Sequence, residues 1–405
     1  MTAQQPFELA ADIRQCLTEN ILPYWLKYMT DPDGGYYGRR DGEDRLHPEA
    51  ERGAILNARI LWSFAAAYPL TGDPQHLDAA RRAFDYITSR FVDPEFGGVY
   101  WSLNPDGTPA DTKKQTYAIA FTIYGLAEYA RVADEPEAPL ALAMSLFRDI
   151  EENCLDKDPA GGYLEALTRD WKAIGDMRLS DKDRNACKTM NTHLHILEAY
   201  TALHRVAPLP EVKAAVRRLV DIMLRRILDP ATHHLGLFFD RDWTRLDAEI
   251  SYGHDIEASW LILEAAREIA SPQDEDFYSQ VLDATGRIAM AAMQGYCTDG
   301  SMIYERHASG RYDNEKHWWV QAETLVGLLW LAKYHPRYPL APNPLDLAAK
   351  TWDYISRNLL DTERGEWYWS RFADGSINRR DDKAGFWKCP YHNSRMCLQA
   401  LALLQ

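Results

Sequence analysis

An all-α ring of paired helices is the fold this sequence predicts, and three observations predict it. Long helical patterns recur along the 405 residues, one loop signature separates every second pair of them, and six such units use up the chain. The loops begin as Asp31-Pro-Asp-Gly-Gly-Tyr-Tyr, Asp93-Pro-Glu-Phe-Gly-Gly-Val-Tyr and Asp158-Pro-Ala-Gly-Gly-Tyr. They continue, more degraded, as Asp229-Pro-Ala-Thr-His-His-Leu-Gly-Leu-Phe, Thr298-Asp-Gly-Ser-Met-Ile-Tyr and Asp361-Thr-Glu-Arg-Gly-Glu-Trp-Tyr. The period is roughly 60 to 70 residues, room for two helices and a loop. Asp-Pro stops the preceding helix and Gly-Gly allows a tight reversal. A short aromatic run and a second turn, such as Asn104-Pro-Asp-Gly or Ala373-Asp-Gly-Ser, add a hairpin. Six helix pairs close most economically into a toroid of six inner and six outer helices, the (α/α)6 barrel. An open solenoid is the alternative, but no capping repeat shows at either end. One catalytic domain over residues 1–405 is expected.

Hydrophobicity sorts the helices into layers. Helices of an inner ring touch neighbours on all sides, so their middles should be almost wholly apolar. The stretches 55–68, 117–129, 194–203, 258–266, 324–332 and 396–404 fit that description. The stretches 77–91 and 212–228 carry Arg and Asp along one face and belong to the outer layer.

Each inner helix follows a hairpin, so all six N-termini open on one mouth. They supply Asn57-Ala-Arg59, Tyr117-Ala-Ile-Ala-Phe121, Asn191-Thr-His-Leu-His195, His254-Asp-Ile-Glu257, Trp319-Val-Gln-Ala-Glu323 and His392-Asn-Ser-Arg395. Capping and first-turn acids account for Asp255 and for Asn57. They do not account for His254, His392, Arg59 or Arg395, because cations near a helix N-terminus oppose the macrodipole. Polar groups that converge at one mouth of an apolar ring point to a site. His193 and His195 lie two apart and so face different ways, which makes them a poor chelate, and no zinc spacing appears elsewhere. Of the adjacent Trp318 and Trp319, register favours Trp319 for the mouth. His233, His234, His307 and His317 fall in loops or at helix edges and receive no role.

Composition limits the partners. The formal net charge is -15 and no Lys/Arg block forms a phosphate-binding stripe, so nucleic acid is not expected. No apolar stretch is long enough to cross a bilayer, and MTAQQPFELA has no signal-peptide pattern. The six Cys form no CxxC pair and read as reduced thiols, so a cytoplasmic protein is expected. With 13 Trp and 22 Tyr the chain can fill helical cores and also stack rings on the apolar faces of sugars.

At its mouth residues the chain resembles the N-acylglucosamine 2-epimerase superfamily, and more narrowly the cellobiose 2-epimerase branch. The resemblance rests on Asn57-Ala-Arg59, Ser180-Asp-Lys-Asp, Asn191-Thr-His-Leu-His195-Ile-Leu-Glu, Gly253-His-Asp-Ile-Glu257-Ala-Ser, Trp318-Trp-Val-Gln-Ala-Glu323 and Lys388-Cys-Pro-Tyr-His392-Asn-Ser-Arg395. These span nearly the whole chain in family order. The resemblance implies reversible inversion at C2 of a reducing-end glucose unit, as in cellobiose or lactose. It implies His254 and His392 as the acid/base pair, His195 assisting and Arg59 beside the enediolate. It further implies that Tyr117, Asn191, Glu257 and Glu323 hold hydroxyls, and that Trp319 and Trp387 stack on sugar rings. Relatives that convert free mannose to glucose, or mannose to fructose, mark the alternative substrates.

The chemistry asks for such groups. Opening the sugar ring exposes an aldehyde, and the neighbouring C2 proton can then leave to give an enediolate. Inversion needs removal on one face and delivery on the other. Histidine, with a reference pKa of about 6.5, can do both near neutral pH. Arginine stabilises the developing oxyanion. No metal or cofactor is expected: there is no dinucleotide fingerprint and no phosphate loop. The rival class is a glycoside hydrolase on the same ring, with Glu257 and Glu323 as its two carboxylates. A sugar-binding protein without turnover is a third reading. The expected partner is a small sugar, and the expected working unit a monomer.

Overall fold

The computed structural model describes residues 4–271, 273–338 and 340–404. Among them, long helices come in consecutive pairs: α1 (Gln4–Gln15) and α2 (Ala54–Thr71), α3 (Pro74–Tyr86) and α4 (Thr116–Ala130), α5 (Glu137–Asp149) and α6 (Met190–Val206). The second half repeats the scheme with α7 (Pro210–Ile222) and α8 (Tyr252–Ile269), α9 (Glu275–Ala292) and α10 (Trp318–Tyr334), α11 (Pro344–Asn358) and α12 (Tyr391–Leu403). Local signals set the boundaries. Asp73 and Asn343 cap α3 and α11 from their side chains, each with a proline in the first turn, and Thr189 caps α6. Gly72 ends α2 with φ 64°, a left-handed stop natural to glycine. Helix α1 runs on to Met29 through wider turns at Cys16–Ile21 and Trp25–Met29. Similar wide turns, Ile87–Phe91, Ile150–Cys154 and Met223–Ile227, end α3, α5 and α7.

The even-numbered helices form the inner ring and are buried on every side, while the odd-numbered ones show an outer polar face. Neighbouring inner helices pack in order from α2 to α12, and α12 packs back on α2; α1 packs against α12. The ring is therefore closed. The expected inner stretches fall in even-numbered helices, the last running one residue past α12; the amphipathic stretch 77–91 lies in α3 with its wide end, and 212–228 runs one residue past that of α7.

All hairpins lie at one end. The two residues leading into an inner helix pair antiparallel with the hairpin of the next repeat: Arg52–Gly53 with Ser102–Leu103, Lys114–Gln115 with Ala166–Leu167, and Lys188–Thr189 with Phe238–Phe239. The pattern continues with Ile250–Ser251 on Glu305–Arg306 and Lys316–His317 on Ser370–Arg371. A bridge between Arg40 and Ala384 makes the sixth link, so the rim closes as the helices do.

The loops correct one register. The backbone N–H groups of Asp31, Asp93 and Asp156 donate to the carbonyls of Gly35, Gly98 and Gly162. Asp156, not Asp158, is thus the equivalent of Asp31 and Asp93. The extra residues of the third loop lie between the acid and Gly-Gly, and a sequence aligned on Asp-Pro places them on the wrong side. Gly162 shows why the Gly-Gly end is the fixed one. It has φ 90°, and a Cβ there would meet the Trp243 ring at 2.4 Å. All six cysteines are free, and among the described residues no helix is long and apolar enough to cross a membrane.

Candidate active site

The first turns of the inner helices divide their polar residues between two tasks. One set turns back to the rim and fixes the loops. Asn57 Nδ2 donates to the Gly53 carbonyl at 2.9 Å, and His193 Nε2 accepts the Tyr163 N–H at 2.9 Å. Asp255 accepts the Leu235 N–H at 2.9 Å, and Gln321 accepts the Met302 N–H at 2.8 Å. Asn393 Nδ2 donates to Glu366 at 2.6 Å. Two residues on, a helix has turned roughly 200°. At those positions stand Arg59, His195, Glu257, Glu323 and Arg395, directed to the centre, with Phe121 as the α4 counterpart.

These central groups bond to one another. Arg395 Nη2 donates to Glu257 at 2.6 Å and to Glu323 at 2.7 Å, and Arg395 Nη1 pairs with Glu198. His392 Nδ1 lies 2.7 Å from Glu323, and His195 Nδ1 lies 2.8 Å from Glu198. Arg59 Nη2 donates to the Tyr117 hydroxyl at 2.8 Å. Aromatic contacts extend the set. The Trp319 ring touches two histidines, 4.8 Å from His254 and 5.6 Å from His392, centre to centre. Tyr117 lies 5.2 Å from His195 and 6.3 Å from Trp387. His254 Nδ1 meets Ser251 Oγ at 2.8 Å. A cavity of about 710 Å³, a size usual for ligand sites, opens onto Asn191 and His254. The residues singled out in the sequence thus share one continuous site.

The electrostatics follow from burial. Burial pushes His254 down to about 3; burial together with Arg395 and Arg59 pushes His392 well below its usual range. Both are therefore neutral imidazoles at neutral pH, each with a free lone pair. Three carboxylates around one guanidinium cannot all be neutralised alike. Burial and the adjacent Glu323 raise Glu257 to about 7. Burial also raises Glu323, against the pull of Arg395. Glu198 goes the other way: burial opposes its charge, but Arg395 and His195 outweigh it and hold Glu198 at about 2. Glu257, Glu323 and His392 place ligand atoms within 4.8 Å of one another, but Arg395 already occupies that cluster with its own charge.

Sequence reasoning missed several groups at the site. Glu198 lies one turn deeper than His195, and its spacing of three on the same face was the available signal. Tyr391 donates to both Glu198 oxygens, at 2.5 and 2.6 Å. Tyr304 and His317, stacked at 4.0 Å, line the outer cavity, although His317 had received no role. His307 lines it too, and His234 proves to be the partner of Asp255 at 2.7 Å. Trp318 is buried, with Lys388 Nζ 4.4 Å from its ring centre, and it too packs on His392, edge-on at 5.2 Å. Asp183, from Ser180-Asp-Lys-Asp, accepts the Ser180 N–H at 2.9 Å and lies at the cavity rim.

Residues 35–395 match the N-acylglucosamine 2-epimerase (GlcNAc 2-epimerase) family. The cellobiose 2-epimerase of Bacteroides fragilis is 50% identical over 395 residues, 97% of this chain and 98% of that protein. The cellobiose 2-epimerase of Ruminococcus albus is 37% identical over 394 residues, with the same coverage of each. The solved structure of cellobiose 2-epimerase from Bacillus thermoamylovorans B4167 superposes with a TM-score of 0.91 at 36% identity, covering 98% of this chain and 99% of that one. Ring, site and matches together define an isomerase that acts on sugars. Within that class the chain belongs to the N-acylglucosamine 2-epimerase family, and it is a sugar epimerase.

Proposed function

We propose that the chain reversibly inverts C2 of the reducing-end glucose unit in a β-1,4-linked disaccharide, converting cellobiose to glucosyl-mannose and lactose to epilactose. The observation that carries this reading is that His254, half-buried at the cavity, and His392, buried, both pack on the Trp319 ring and are both neutral. A neutral imidazole removes the C2 proton on one face. The enediolate so formed favours an imidazolium beside it, which restores the basicity that burial removed. His392 returns a proton on the other face as it takes one at Nδ1 from Glu323, 2.7 Å away, so that no imidazolate forms; burial raises the pKa of that carboxyl. Arg59, Tyr117, Asn191, Glu257 and Glu323 supply the charge and hydrogen bonds around the sugar, and Trp319 and Trp387 supply its stacking faces.

The carboxylate geometry favours this reading over hydrolysis. A hydrolase needs two carboxylates flanking the scissile bond, separated by about 5 Å or more. Glu257 and Glu323 instead bind the same Arg395 nitrogen. A ring that closes on itself supports a monomer, and six free cysteines support a reducing, cytoplasmic setting.

The test is proton NMR of the protein with cellobiose in D2O containing EDTA, and separately with mannose. A mannose-type reducing end carrying deuterium at C2 is the expected product. Free glucose from cellobiose would mean hydrolysis. Turnover of mannose alone would move the substrate to the monosaccharide, with glucose or fructose naming the reaction. His254→Ala and His392→Ala should each lower C2 exchange by about 10²-fold or more while the fold persists. Full exchange in both variants would overturn the two-histidine mechanism.

A further inference from the structure

The three mouth histidines are not held alike. His254 Nδ1 faces a neutral hydroxyl, that of Ser251, whereas His195 and His392 each face a carboxylate. The carboxylate behind His195 is Glu198, which lies three residues further along α6 and is buried. Its two oxygens meet Tyr391 Oη, His195 Nδ1 and Arg395 Nη1. A carboxylate held ionised can only accept, so every group against it donates. A neutral imidazole there must therefore carry its proton on Nδ1, which leaves Nε2 as its free acceptor. Arg395 continues the chain of contacts through Glu323 to His392.

We propose that Glu198 is a positioning residue for the epimerisation: it fixes the Nδ1–H tautomer of His195 and, through Arg395, joins the His195–Glu198 pair to the Glu323–His392 pair. The proposal rests on the epimerase reading for its effect on rate, but not for the tautomer. A carboxylate does this work where an amide cannot. Gln at the same place keeps the volume and one acceptor, but it brings an NH2 group among three donors. Arginine can only donate, so the amide oxygen stays opposite Arg395 and the NH2 group falls opposite His195 Nδ1, where the imidazole accommodates it by moving its proton to Nε2 and accepting at Nδ1. Nε2 then becomes a donor in place of an acceptor. In a serine-protease triad the corresponding amide for carboxylate exchange drops kcat by about 10⁴ through the same change of tautomer.

The experiment is ¹⁵N NMR of histidine-labelled protein without substrate, with His195 assigned by difference against His195→Asn. The wild type should show Nδ1–H, and Glu198→Gln should show Nε2–H. Kinetics on cellobiose should give a fall in kcat of about 10²-fold in Glu198→Gln, with KM within about threefold. Tyr391→Phe removes a donor from the same carboxylate and should keep the Nδ1–H tautomer. A purely structural Glu198 would lower stability in both variants without moving the tautomer, and that result overturns the proposal. An Nε2–H tautomer in the wild type overturns it without any variant, so a poorly folding Glu198→Gln does not protect it. If cellobiose is not turned over while the tautomer shifts as expected, the sugar assignment fails and the positioning of His195 stands.

Discussion

Glu257 lies buried beside a second carboxylate, and its proton affinity follows from that position. Burial and Glu323 move its pKa from 4.5 to about 7. Between those two values the folded protein holds a proton that the unfolded chain has released. The stability this group contributes is thus full below pH 4.5 and falls as pH rises through 7. Glu257→Gln removes the charge and keeps an acceptor for Arg395. It should gain up to about 3 kcal/mol at pH 8 and almost nothing at pH 4, read from urea unfolding midpoints. A gain equal at both pH values would show that ionisation of Glu257 carries no cost. The same variant should lose epimerase activity, an instance of a site that trades stability for function.

At the scale of elements, buried ion pairs tie the loops to the strands that launch the inner helices. Lys114 Nζ lies 2.8 Å from Asp93 and Lys188 Nζ lies 2.9 Å from Asp156, while Arg52 pairs with Asp31 and Lys383 with Asp361. In the fifth repeat Cys297 stands where the others have an acid, with Lys316 Nζ 3.1 Å from its sulfur. Removing one partner of a buried pair strands the other, at about 3–5 kcal/mol. Arg52→Met should cost that much, because it leaves Asp31 buried without its cation. Lys114→Met should cost clearly less, because Arg169 also holds Asp93, at 2.8 and 2.9 Å. Chemical denaturation of the two variants decides the point; equal losses would mean that Arg169 offers no compensation. These pairs were not legible as pairs. The sequence shows the acids at loop starts and the cations before the helices, but the third acid was read at Asp158, and matching depends on where each loop folds back.

For the whole molecule, closure of the ring keeps several histidines neutral. His193 is fully buried and pushed down to about 4, and His392 and His254 are depressed by the same burial. In the unfolded chain each would take up a proton near 6.5. Stability from these groups is therefore complete above pH 6.5 and is lost as pH falls toward their folded values. Each contributes a slope of about 1.4 kcal/mol per pH unit within that window. Raised carboxyls such as Glu257 act in the opposite direction over the same window, so the histidine share is read by difference. His193→Gln should remove about 1.4 kcal/mol per pH unit of acid sensitivity between pH 6.5 and 4, measured by thermal unfolding against the wild type. An unchanged pH slope in that variant would contradict a buried neutral His193.

The repeat and its direction were local matters, and the sequence by itself determined them. Six loop signatures count the helix pairs, all-round hydrophobicity separates inner from outer helices, and the helical period alone separates His193 from His195. Arg59, His254 and His392 stood out for a local reason too, as cations at helix starts. What the tertiary structure alone decided is which of these groups share a charge. Arg395 meets Glu198, Glu257 and Glu323 across 197, 138 and 72 residues of chain. Glu198 itself lies inside a helix stretch that reads as apolar core. Proton affinities and tautomers depend on through-space distance and on exclusion of water, and both come into being when α12 packs against α2 and the ring closes.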